Sequence, residues 1–183
     1  MTSGRMTQGQ LIDHLERQAE ELTKRWNAIA PQATADLSAQ IQGHPWSFGQ
    51  MLEHLRLSEQ PYKGPFENLL KSLPATDPGS EFRHTFMAKQ VIKAAGPRGN
   101  APVPGQFKPG GGPYPESLKE FLPENLDCLS RWIREARGKD LVGSKMAWPA
   151  VPLFKFNVGD VLVLMADHLD RHIGQMERGL KTS

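Results

Sequence analysis

From Gln8 to Ile29 the apolar residues Leu11, Leu15, Leu22, Trp26 and Ile29 recur at intervals of three, four or seven, with charged residues between them. That spacing predicts an amphipathic helix. Pro31 is expected to end it, and the polar stretch to Gly43 reads as a connection. A second helix is predicted from Ser47, whose hydroxyl can cap free backbone N–H groups, with Met51, Leu52, Leu55 and Ser58 on one side and His54 beside them. Pro61 and Pro65 each remove a backbone donor and should break or bend it, although Phe66, Leu69, Leu70 and Leu73 resume a helical spacing.

Between Pro74 and Pro115 the pattern lapses. Eight of the 15 prolines and 7 of the 17 glycines fall there, including Gly110-Gly111-Gly112, which predicts a long irregular crossover near a functional region. Within it, Phe82, Phe86, Lys89, Gln90 and Lys93 could form one short helix with both aromatics packed inward.

Ser117-Leu-Lys-Glu120 has the spacing of a capping box, and Leu118, Leu122, Leu126, Leu129 and Ile133 continue an apolar face toward Gly138. Pro123 should bend or delay the start of this third helix. The last helix is predicted after Asn157, an N-cap with Asp160 three residues on, and runs through Val161, Leu164, Met165, His168, His172, Gln175 and Met176 to Gly179. No strand is predicted: Trp148 to Phe156, with three aromatics around two prolines, reads as a loop packed on the helices. The fold class is therefore all-α, a four-helix bundle in one domain over residues 1–183, with a long Pro/Gly-rich crossover between its second and third helices.

Composition narrows the chemistry. The lone Cys128 rules out an intramolecular disulfide and a cysteine metal cluster, and suggests a reducing compartment. The polar stretch Met1 to Gln8 has no apolar segment of the kind an export signal needs, so a cytoplasmic location is expected. The most apolar run, Val161 to Ala166, is far short of the roughly 20 residues of a membrane span. A formal net charge of +2 is a weak field for a polyanion, so no nucleic acid is expected.

His168 and His172 lie four residues apart, one turn apart on one side of a helix, on the stripe that includes Val161 and Leu164. They point inward, where an imidazole needs a partner. His54, on the core side of the second helix, can complete an open three-histidine set. An all-imidazole shell suits zinc, nickel, copper or iron(II), and a divalent zinc or nickel ion is favoured. Gln175, one turn beyond His172, could hydrogen-bond a ligand imidazole. No cysteine or glutamate is found on the inner stripe that would close the set, so a coordination position should stay open. His14 is expected at the core border, and His44 and His84 in connections, with His84 near a substrate entrance at most. Asp167 and Asp170 should face outward. Cys128 reads as inert core, and Arg83, Lys89, Lys93, Arg98 and Lys108 as a solvated basic loop. No His-Glu-x-x-His, Gly-x-Ser-x-Gly or phosphate-loop motif is present.

Trp46-Ser47-Phe48-Gly49-Gln50-Met51-Leu52-Glu53-His54-Leu55 resembles the second-helix motif of the DinB superfamily, the damage-inducible DinB and YfiT-like metal-binding bundles. Val158 to Gln175, with His168-Leu-Asp-Arg-His172, resembles the last-helix motif of that family. Pro102-Val-Pro-Gly-Gln-Phe-Lys-Pro109 is similar to the crossover of one of its branches. The resemblance implies an up-down-down-up bundle, a three-histidine site opening on a cavity, and frequent homodimers. It also implies thiol-dependent transferase or isomerase activity, with a low-molecular-weight thiol as cosubstrate. Two expectations follow: a metal-dependent enzyme on a small molecule, of thiol-transferase or hydrolase type with catalytic residues unassigned, or a non-catalytic stress-response or binding protein whose metal site is structural or vestigial.

Overall fold

The computed structural model describes residues 6–181, so residues 1–5, which begin the polar stretch at the start of the chain, lie outside the described residues. The chain is mostly helical. Helix α1 spans Gln8–Ala33, α2 Phe48–Glu59, α3 Lys63–Ser72, α4 Phe86–Ala95, α5 Leu118–Ala136 and α6 Val158–Lys181. A short hairpin, β1 (Lys145–Trp148) and β2 (Val151–Asn157), precedes α6. Among the described residues, no helix is long and apolar enough to cross a membrane.

The predicted starts of α2 and α6 are held by capping side chains. Ser47 Oγ accepts from the Gln50 N–H at 3.2 Å, and Gln50 Oε1 accepts from the Ser47 N–H at 3.0 Å. At α6, Asn157 Oδ1 accepts from the Asp160 N–H at 2.8 Å, and Asp160 Oδ2 accepts from the Asn157 N–H at 3.2 Å. Asp160 is fully buried and also takes bonds from the Thr85 N–H and hydroxyl and from His84 Nδ1, so the start of α6 is tied to the segment that leads into α4.

Helix α1 lies against α5 and α6, α2 against α5 and α6, and α4 along α6. One continuous apolar core joins them, with Trp26, Phe66, Trp132 and Phe156 fully buried. Pro61 ends α2 as expected, and a 3₁₀ turn over Gln60–Tyr62 leads into α3. Glycine is required where α2 meets the end of the crossover, because a Cβ on Gly49 would overlap the ring of Tyr114.

Several local expectations are corrected. Pro31 lies inside α1, near its end, where its missing donor removes a single helical bond and the Thr34 N–H still reaches the Ala30 carbonyl at 2.9 Å. Ser117 makes no side-chain cap: its own backbone is helical, φ −59° and ψ −17°, whereas a capping hydroxyl needs an extended residue. Trp148 to Phe156 is a hairpin rather than a loop. Pro149 lies between the strands and Pro152 has no partner in the ladder register, so neither proline displaces a ladder bond. The register shifts between Ala147 and Trp148, and Trp148 stacks on Phe156 with ring centroids 5.5 Å apart. Of the two crossover aromatics only Phe82 packs inward; Phe86 is 76% exposed at the first turn of α4.

Replacing Asp160 with alanine would leave at least the His84, Thr85 and Asn157 donors without their acceptor. The expected loss is about 3 kcal/mol of unfolding free energy, read from the shift of a urea midpoint. Phe86→Ser should change that midpoint by less than about 0.5 kcal/mol. Equal shifts for the two variants would show that the Asp160 network does not hold the start of α6.

Candidate metal site

His54 comes from the second turn of α2, two turns after the Ser47 cap, while His168 and His172 are successive turns of α6. The three rings converge. Their ligand nitrogens all lie within 4.8 Å of one another, with His172 Nε2 at 3.0 Å and His54 Nε2 at 3.3 Å from His168 Nε2. His54 and His172 are buried and His168 is half-buried.

Each ring presents its other nitrogen to an oxygen. His54 Nδ1 lies 2.8 Å from the Phe107 carbonyl, His172 Nδ1 2.7 Å from Gln175 Oε1, and His168 Nδ1 3.4 Å from Glu59 Oε1. A carbonyl or carboxylate oxygen only accepts, so the hydrogen sits on Nδ1 in each ring. All three Nε2 atoms then face one another, and a ring that is neutral presents a bare lone pair there. Burial, with the neighbouring imidazoles and the Arg171 charge, lowers the pKa of His54 to about 4 and that of His172 well below its usual value, which keeps both rings neutral near pH 7.

Neutral imidazoles with converging lone pairs are a donor set for a divalent cation. Metal–nitrogen bonds of about 2.0–2.1 Å in a tetrahedral shell require nitrogens about 3.3 Å apart. The observed 3.0 and 3.3 Å fit that requirement. The three histidines could therefore hold a metal ion.

They face a cavity of about 320 Å³, which is at the small end of ligand pockets. Its wall includes Val91, Ala94 and Val103 from the crossover, Leu164 and Met165 from α6, and Trp148 from the hairpin. The crossover thus borders the site, as its composition predicts.

Glu59 is a functional residue that sequence reasoning missed. It is 3% exposed, lines the cavity and accepts from Asn125 Nδ2 through its other oxygen. Its signal was present, since Leu52, Leu55 and Glu59 follow a helical spacing of three and four. Glu59 faces Nδ1 of His168 and stands outside the converging set, so it does not close the metal position. Gln175 does hydrogen-bond His172, as expected.

The remaining histidines stay apart. His14 is exposed on α1 rather than at the core border. His44 Nδ1 accepts from the Trp46 N–H at 3.2 Å, and the Trp46 ring in turn packs 5.0 Å from His54. His84 pairs with Asp160 and does not line the cavity. Asp167 and Asp170 turn away from the imidazoles but are half-buried rather than outward, held against α1 by Gln18 at 3.0 Å and Arg25 at 2.5 Å. Cys128 is buried, and burial raises its pKa. The basic crossover residues are exposed and absent from the cavity wall, whereas Arg171 of α6 is part of it.

The sequence profile of the DinB superfamily matches residues 14–176. No curated protein and no solved structure matches the chain.

Substituting His172 with alanine should abolish stoichiometric retention of zinc after gel filtration, while His84→Ala should retain it. Glu59→Gln, which weakens the acceptor for His168, should lower affinity roughly tenfold in a competitive chelator titration. Wild-type metal content in the His172 variant would remove that residue from the site.

Proposed function

The chain belongs to the DinB superfamily, and we propose that it is a metal-dependent enzyme acting on a small molecule, with His54, His168 and His172 holding one zinc or nickel ion. The observation that carries this reading is the convergence of three histidine Nε2 atoms beside a largely apolar cavity. The reaction is of thiol-transferase or hydrolase type. When bound, the ion supplies Lewis acidity, which favours the deprotonated form of a thiol or water at neutral pH.

The chain's own groups do the positioning. Phe107, Glu59 and Gln175 hold the three Nδ1 protons and so aim each Nε2 inward. Tyr62, whose phenol burial keeps protonated, lines the cavity beside Trp148 of the hairpin.

The up-down-down-up four-helix arrangement over 1–183 as one domain belongs to the same proposal, supported by the mutual packing of α1, α2, α5 and α6. So do a cytoplasmic location, homodimers, a small-molecule partner in place of nucleic acid, and a low-molecular-weight thiol as cosubstrate. A purely structural ion would need a closed shell, and Glu59, the nearest buried carboxylate, is turned to the far side of His168.

Cobalt(II) substituted into the full chain provides the test. Addition of a small thiol should produce a sulfur-to-cobalt charge-transfer band that is lost in His54→Ala. Cobalt uptake with an unchanged spectrum at saturating thiol would remove the thiol step and leave hydrolysis; no uptake would remove the metal-dependent reading altogether.

A further inference from the structure

Arg171, between the two α6 imidazoles in sequence, is the one lysine or arginine on the cavity wall among the described residues. It is half-buried, and its Nη1 donates to the Ala94 carbonyl in the last turn of α4 at 3.2 Å. A guanidinium carries five N–H donors, so this bond anchors the side chain and leaves most donors for another acceptor. The nearby acids are engaged elsewhere: Asp167 with Gln18, Asp170 with Arg25, and Glu59 with Asn125 and His168. Among the described residues no carboxylate lies within ion-pair distance of Arg171.

A cation withdrawn from water without a counter-charge is unfavourable, and its place on the wall of an otherwise apolar cavity marks where an anion completes the site. We propose that Arg171 is a specificity-determining residue that binds the carboxylate of a small monoanionic substrate, whose apolar body fills the space beside Val91, Val103, Leu164 and Met165. The planar fork of one guanidinium matches one carboxylate in a bidentate pair. At Arg171 itself a dianion is disfavoured in the metal-free chain, because a single positive side chain faces it and the buried Glu59 lines the same cavity. This inference deepens the enzyme reading and rests on the same cavity being its substrate site.

The test is calorimetric titration of hexanoate, hexanamide and hexylphosphonate into the full-length chain, metal-free and zinc-loaded. Hexanoate should bind at least about tenfold more tightly than hexanamide in both forms, the scale of one charge-assisted pair. Arg171→Gln should erase that preference and Arg171→Lys should restore part of it, with thermal unfolding recorded for both variants. Should the glutamine variant not fold, the lysine variant and the wild-type ratio decide. Equal binding of acid and amide, no saturable hexanoate binding at millimolar concentration, or tighter binding of hexylphosphonate than of hexanoate to the metal-free chain would overturn the proposal. So would a preference that appears only with zinc and survives Arg171→Gln, since the carboxylate would then be bound by the ion. Failure to take up zinc counts against the metal-dependent reading alone, because the metal-free titration still decides the role of Arg171.

Discussion

Three imidazole Nε2 atoms held 3.0 and 3.3 Å apart inside a helical core need their rings fixed in orientation, and each Nδ1 contact is part of what fixes them. The holders come from different parts of the chain. Phe107 offers its carbonyl from a 3₁₀ turn in the crossover, Glu59 ends α2, and Gln175 lies one turn along α6. The rotation of each helix matters equally, because an imidazole faces inward only if the helix starts in the right place. Capping at Ser47 and at Asn157 sets those starts, and the same Asp160 that caps α6 ties it to the residues leading into α4.

The helices and the three histidines were legible because both depend on periodicity, which a sequence displays directly. The caps at Ser47 and Asn157 were legible for a related reason, since a capping side chain names itself. Ser117 shows the limit of that signal: the residue spacing is right, but the backbone is already helical one residue early. Glu59 obeyed the same periodicity as Leu52 and Leu55, but a carboxylate at the end of a helix shows its burial only once its partners Asn125 and His168 are in place. The Phe107 carbonyl could not have been found, because a backbone oxygen has no identity in the sequence. Nor could the hairpin, whose prolines argue against a strand until the register shows that neither occupies a ladder position. Phe86, apolar and at a helix start, breaks the usual rule of burial, and nothing in the structure explains its exposure.

The prolines beyond His54 raise a different point, since they interrupt the helix that carries a site residue. Had α2 continued through residue 62 as regular α-helix, a proline at 61 would have lacked the donor that its turn requires. The break falls immediately after Glu59, so the carboxylate still stands on the inner stripe, while the tighter 3₁₀ turn carries Tyr62 to the cavity wall. There it shares the cavity wall with Trp148 of the hairpin, and α3, which follows the turn, packs against β1. The interruption therefore builds the cavity wall instead of damaging it. A continuous helix would place the next inner residue along the α2 axis, whereas the bent path brings the buried Tyr62 ring to the wall that Trp148 also lines, beside the imidazoles.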